Sequence, residues 1–235
     1  MNETNFKMKL FVIEGLDGAG KSTQIKLLKD FFSNQGYNCE YLHFPRTDAP
    51  YFGELIARFL RGEFGSINDV DPYLVAILYA GDRKDASDLI SGWLKDGSIV
   101  ILDRYTYSNI AYQCAKVADI QKRKELKNWI LKLEFDHFGI PEPDLNIFLD
   151  VPFGFTESNL TEERNGDDRN YLNGGSDIHE SNLNFQRKVK EIYLEVAASD
   201  DRLVVINCYN DADNMLTPEE IFRKIIAIIK GRNLA

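Results

Sequence analysis

The chain reads as an α/β fold, a five-stranded parallel sheet with helices on both faces. Three observations predict it. Short apolar runs alternate with segments of helical periodicity along the 235 residues. Several runs, such as Ile99-Val100-Ile101-Leu102, are apolar without alternation, as strands covered on both faces are. The first run also passes through a glycine-rich turn straight into an amphipathic helix, the unit from which parallel sheets are built.

The first strand spans Lys9–Glu14, and the helix after it Thr23–Phe32, with Ile25, Leu28 and Phe32 at helical spacing. The next strands are Cys39–Phe44 and Ser98–Asp103, with a helix holding Leu78 to Arg83 between them. A further helix carries the stripe Leu126, Ile130 and Leu133, and its Lys122-Arg123-Lys124 run is expected to face solvent. Leu145–Asp150 and Leu203–Asn207 complete the sheet. The last helix starts at Thr217-Pro218-Glu219-Glu220, which offers an N-cap, a first-turn proline and a capping-box glutamate. Its buried stripe is Ile221, Ile225, Ile228 and Ile229. One stretch breaks the alternation. Thr161 to Ser181 is polar, rich in Asn, Asp and Gly, and contains Arg164 and Arg169. A segment this long inside a compact domain is expected to be a functional lid, with a solvated loop as the alternative. The whole chain, 1–235, is otherwise expected to be one domain.

Composition narrows the function. A hydrophobic content of 44% suffices for a well-buried core, and no apolar run reaches membrane-spanning length. Met1-Asn2-Glu3-Thr4-Asn5 carries no signal-peptide pattern, so a cytoplasmic protein is expected. Cys39, Cys114 and Cys208 are far apart, which disfavours a zinc site or disulfide framework. The net charge of −9 argues against nucleic-acid and membrane-surface partners.

The chemistry enters with the first turn. Gly15-Leu16-Asp17-Gly18-Ala19-Gly20-Lys21-Ser22 fits the phosphate-binding pattern G-x-x-x-x-G-K-[ST] at every fixed position. Glycines let backbone N–H groups curl around phosphate oxygens, and the helix N-terminus adds positive potential. Lys21 would reach the terminal phosphates and Ser22 would ligate Mg²⁺. The fold is then of the P-loop NTPase type, with ATP as the expected ligand. Asp103, at the end of its strand, would hold the same Mg²⁺ through water. Arg104 and Arg46 follow strand ends, and Arg83 lies on a nearby helix. Three arginines near one crevice suit a second anionic ligand, since guanidinium pairs bidentately with phosphate.

Gly15 to Thr23, Phe44-Pro45-Arg46, Tyr79 with Arg83, and Asp103-Arg104-Tyr105 with Tyr112-Gln113 stand in an order and at spacings that resemble the thymidylate kinase family. The resemblance runs from about Lys9 to the last helix and is weakest in the lid. It implies transfer of the γ-phosphoryl of Mg-ATP to dTMP by a homodimeric enzyme. It implies that Gly15, Leu16, Asp17, Gly18, Ala19, Gly20, Lys21, Ser22 and Thr23 bind ATP, and that Asp17 also reaches the sugar 3′-hydroxyl or the acceptor phosphate. Phe44, Pro45, Arg46 and Arg104 would serve the acceptor, the two arginines holding its phosphate. Tyr79 would stack on thymine, Arg83 would bond its O4, and Asn109 and Gln113 would touch the base. Tyr105 and Tyr112 would pack on the deoxyribose. The loop Asn207-Cys208-Tyr209-Asn210 would meet adenine.

Two departures redirect the reading. Some family members carry Arg at the position of Gly18, so the missing cation is expected from the lid, as in many bacterial members. The lid pattern of an Asp-Arg pair is here Asp177-Ile178-His179-Glu180, without the Arg. The catalytic set is therefore Lys21, Arg104, Asp17 and Arg164, with Arg169 close behind and Arg187 a surface residue. The alternatives are another deoxynucleotide or deoxynucleoside kinase, with Glu14 as base or as a brace for the loop, and a nucleotide switch. The switch would want an N-K-x-D segment, which the chain lacks.

Overall fold

The computed structural model describes residues 9–161, 171–172, 177–179 and 182–233. Along them run β1 (Leu10–Glu14), α1 (Lys21–Ser33), β2 (Cys39–His43), α2 (Phe52–Leu60), α3 (Pro72–Lys95), β3 (Ile99–Asp103) and α4 (Thr106–Cys114). Then follow α5 (Ile120–Leu131) with a π-helical extension (Lys132–His137), β4 (Leu145–Asp150), α6 (Phe153–Thr161), α7 (Leu183–Ala197), β5 (Leu203–Asn207) and α8 (Pro218–Asn233). The five strands form one parallel sheet in the order β2-β3-β1-β4-β5. Strand ends agree with the sequence reading to within a residue. β2 stops at His43 because Pro45 has no N–H to continue the ladder, although Phe44 N still donates to Asp103 O at 3.0 Å.

Alternation within β1 divides its side chains between the two faces. Phe11 and Ile13 join Ile25, Leu28 and Phe32 of α1 and Ile221, Ile225 and Ile229 of α8. Leu10 and Val12 join Val100, Leu102, and Ala86 and Ile90 of α3. A third cluster ties Phe148 of β4 to Ile110 of α4, Leu126 and Ile130 of α5, and Val189 and Ile192 of α7. Burying each such side chain contributes about 1.5–3 kcal/mol. The capping box of α8 forms as read, with Thr217 N donating to Glu220 Oε2 at 2.9 Å and Glu220 N to Thr217 Oγ1 at 3.3 Å.

The helical stripe Leu126–Ile130–Leu133 needs a correction. Leu126 and Ile130 are buried, but the wider π-helical turn shifts the register after them, so that Glu134 points inward and Leu133 lies half-exposed. Lys122 and Lys124 are exposed, while Arg123 pairs with Glu195 at 2.6 Å. The register His43↔Asp103↔Ile13 aligns the C-terminal ends of β2, β3 and β1. Everything the sequence singled out after those strands therefore opens on one edge of the sheet, where α/β proteins place ligands.

Candidate nucleotide site

The loop after β1 turns tightly through Gly18 (φ 76) and Gly20 (φ 80), left-handed positions that glycine occupies without strain. Lys21 opens α1 and folds back over the loop. Its Nζ donates to Leu16 O at 3.1 Å and Gly15 O at 3.4 Å and lies 4.0 Å from Asp103 Oδ1. Burial, with the Arg104 charge nearby, lowers its pKa. Asp103 also accepts from His43 Nδ1 at 3.2 Å through Oδ2. Burial opposes ionisation of Asp103, but Lys21 and His43 outweigh it and lower its pKa. Its Oδ1 is buried without a hydrogen-bond partner, and Ser22 is exposed on the first turn of α1. A hard oxygen ligand and a hydroxyl fit Mg²⁺, which keeps waters and substrate phosphates as its other ligands. Among the described residues no cluster of three or more His, Cys, Asp or Glu forms an all-protein metal cage.

Arg104 follows β3 with φ 66, the left-handed region, which is uncommon for a side chain of this size. Its Nη2 donates to Asp17 Oδ1 at 2.6 Å and its Nη1 to Ser108 Oγ at 3.1 Å, and the Tyr112 ring lies 5.3 Å from the guanidinium. Tyr112 Oη donates to Asp17 Oδ2 at 3.0 Å. Burial penalises the Asp17 charge, but Arg104 and Lys21 overcome it and hold the carboxyl well below the usual range. The turn itself is braced by Glu14, which is fully buried. Glu14 accepts from Tyr105 N (2.9 Å), Ser108 N (3.2 Å) and Tyr193 Oη (2.9 Å), as well as from Ser108 Oγ. A carboxylate with this many donors is a strut, not a base for a hydroxyl acceptor.

Arg46 follows the cis Phe44–Pro45 peptide. It is clamped by Asp82, its N and Nε donating to the carboxylate at 2.9 and 2.8 Å and its Nη2 to Asp82 O at 2.7 Å. The Phe44 ring supports the guanidinium from 5.9 Å. Arg83 is 1% exposed and gives Nε and Nη2 to Glu134, both at 2.6 Å. Asn109 and Gln113 are buried beside it on α4, and Gln113 Oε1 has no hydrogen-bond partner. Tyr79 is half-buried. Burial, with Asp177 and Tyr112 near, pushes its hydroxyl well above the ordinary value.

One expectation falls. Tyr105 is 0% exposed, packs against Phe44 at 5.7 Å, and donates its hydroxyl to Pro141 O at 3.2 Å. A ring enclosed by protein with its hydroxyl satisfied has no face left for a sugar. Tyr112, 7% exposed above Arg104, is the tyrosine at the crevice.

The sequence does not reveal the side chains that hold these residues in place. Asp82, Glu134, Ser108, Tyr193 and Gln186 all anchor residues that the motifs named. Only Asp82, adjacent to Arg83, carried a local signal.

Arg164 and Arg169 lie outside the described residues, as does most of 161–181. The described remainder docks on α2. Ile178 N donates to Leu60 O at 3.0 Å, and Arg61 Nη1 to Tyr171 O at 2.7 Å. Gln186 of α7 links this stretch to the phosphate loop, donating to His179 O at 3.1 Å and Asp17 Oδ2 at 3.4 Å. His179 sits between Tyr112 and Phe185, and burial holds its pKa well below the usual value, so the imidazole is neutral. Arg187 is exposed, as expected.

Lys116, just beyond α4, places Nζ 4.8 Å from the Phe59 ring without a hydrogen-bond partner. Burial, only partly opposed by Asp71, lowers its pKa to about 7. The unfolded value is about 10.4, so between about pH 7 and 10 the unfolded chain binds the extra proton, and stability rises with pH through that window. Lys116→Met is expected to raise Tm by about 5 °C near pH 6, the gain vanishing towards pH 10. A gain equal at both pH values in thermal melts would show that the buried ammonium is not its source.

The loop expected against adenine follows β5, and Tyr209 Oη donates to Asp150 at 3.1 Å. Tyr209 and Asn210 border an open cleft of about 410 Å³ with Arg223 and Lys224.

The thymidylate kinase family model matches residues 13–217. A probable thymidylate kinase of Thermococcus kodakarensis is 34% identical over 224 residues, covering 93% of this chain and 96% of that protein. A thymidylate kinase of Mycobacterium tuberculosis is 33% identical over 190 residues, covering 80% and 86%. Among solved structures, the thymidylate kinase of Candida albicans superposes with a TM-score of 0.69 at 28% identity, covering 96% of this chain and 93% of that one.

Proposed function

The chain belongs to the thymidylate kinase family, and from that premise we propose how its residues carry the γ-phosphoryl of Mg-ATP to dTMP, giving dTDP and ADP. The observation that carries the reading is the convergence of Lys21 with the Asp17–Arg104 pair at one sheet edge, under Tyr112.

The acceptor is itself a phosphate, mostly ionised near neutral pH, with a second pKa of about 6. It needs no strong base, in keeping with the saturated Glu14. Catalysis is then positioning and charge neutralisation. Lys21 and the loop N–H groups of Gly15 to Thr23 serve the donor phosphates. Arg104 and Arg46, each fixed by a carboxylate, serve the acceptor phosphate, and Asp17 orients Arg104. Mg²⁺, held by Ser22 and Asp103, would neutralise charge on the donor. Tyr79 takes the face of the base, Arg83, Asn109 and Gln113 its edge, and Tyr112 the sugar. Since Gly18 supplies no cation, we assign the remaining one to a lid at 161–181, to Arg164 ahead of Arg169. The chain is read as one cytoplasmic kinase domain. Leu74, Ile77 and Leu89, exposed on α3, are offered as a self-association face of a homodimer.

A panel of dTMP, dUMP, dCMP and thymidine with ATP tests the reading. dTMP is expected to give the highest kcat/KM. Best turnover on thymidine would overturn the acceptor assignment.

A further inference from the structure

A carboxylate outside every motif stands behind the residues assigned to the base. Glu134, 0% exposed on the π-helical turn, accepts four hydrogen bonds. Oε2 takes Arg83 Nε at 2.6 Å and Thr106 Oγ1 at 2.8 Å. Oε1 takes Arg83 Nη2 at 2.6 Å and Asn109 Nδ2 at 2.9 Å. We propose that Glu134 is the positioning residue of the pyrimidine pocket, setting the orientation of Arg83 and Asn109 and with it the preference for thymine over cytosine. The inference rests on the thymidylate kinase reading above.

Three consequences of this geometry support it. First, the Asn109 amide is locked. Its Nδ2 donates both to Glu134 and to Ala76 O at 3.1 Å, acceptors that only the NH₂ end can face, so Oδ1 is fixed as the acceptor end, with a second lone pair to spare. Its one further contact is Gln113 Nε2 at 3.4 Å. Second, Arg83 spends Nε and one N–H of Nη2 on Glu134, leaving both N–H groups of Nη1 without a partner among the described residues. The pocket thus offers arginine donors beside amide acceptors, Asn109 Oδ1 and the unpartnered Gln113 Oε1. Thymine brings the complementary pair, the O4 acceptor and the N3–H donor. Cytosine brings the reverse, an amino donor and the N3 acceptor, and would leave buried polar groups facing like groups. Third, the bidentate pair is electrically neutral, so a cation deep in the pocket does not confront a neutral base with a net charge.

The test is steady-state kinetics of the full chain with ATP saturating. In Glu134→Gln, the amide would donate where the carboxylate accepts, releasing Asn109 or Arg83. KM for dTMP is expected to rise ten- to hundredfold, with kcat changed less than about threefold and KM for ATP unchanged. The dTMP-to-dCMP ratio of kcat/KM is expected to fall at least tenfold. In an Asn109→Ala background the same substitution should alter that ratio less, because only Arg83 is then left for it to misplace. An unchanged ratio, or a fall in kcat at constant KM, would overturn the proposal. Should Glu134→Gln not fold, Thr106→Val decides. It strips one donor from the charged carboxylate and should lower the ratio about threefold, and no change would equally overturn it. Failure of the kinase reading would show separately, as no dTMP turnover by the unsubstituted protein.

Discussion

Arg104→Ala is expected to lower kcat about a thousandfold, the range seen when an arginine that neutralises a transferring phosphoryl is removed. The loss has two parts. The acceptor phosphate loses a guanidinium already oriented by Asp17 and Ser108. Asp17, whose charge Arg104 sustains against burial, then loses its main counter-charge beside an anionic substrate. Arg104→Lys should recover little, because one ammonium cannot reproduce the fork that bonds Ser108 and Asp17 at once. Strain must be separated from chemistry, since Arg104 sits at φ 66. Alanine retains that strain, about 1–2 kcal/mol, and glycine relieves it. Equal loss of kcat in Arg104→Ala and Arg104→Gly, measured in single-turnover assays, would assign the effect to the guanidinium. A loss under tenfold in both would remove Arg104 from the reaction.

Lys21→Met is expected to lower kcat by about two to three orders of magnitude, with a smaller change in ATP affinity. Methionine keeps most of the aliphatic stem and removes the charge. The loop's N–H groups and the α1 N-terminus still bind the donor phosphates. Only the charge that follows the γ-phosphoryl is lost, so the effect should fall on turnover. Calorimetric titration with a non-hydrolysable ATP analogue, set beside kcat, distinguishes the two. Affinity falling as far as turnover would make Lys21 a ground-state binder only.

The parts legible in the sequence are those specified locally. The five strands appear because each is a short apolar run, and the phosphate loop because its glycines and Lys21-Ser22 are contiguous. The Asp103-Arg104-Tyr105 turn was placed correctly as a strand end. Its Tyr105 was misassigned because an aromatic side chain beside a site motif looks the same whether it faces substrate or core. The strand order was not legible, since it depends on crossovers. Nor were the partners of the motif residues. Asp82 meets Arg46 across 36 positions, Glu134 meets Arg83 across 51, and Tyr193 meets Glu14 across 179. The π-helical turn that delivers Glu134 broke a helical periodicity that predicted Leu133 instead.

The cations at this sheet edge come with acids: Arg104 with Asp17, Arg46 with Asp82, Arg83 with Glu134, Lys21 with Asp103. Stranding one member of a buried pair costs about 3–5 kcal/mol, against a total stability of roughly 5–15 kcal/mol for a typical domain. A lineage that replaces one member first therefore passes through a chain close to unfolding. Substitutions at these positions are therefore coupled in free energy. A change in base or phosphate recognition is reached by exchanging a motif residue together with its distant acid, or by first gaining stability elsewhere in the core.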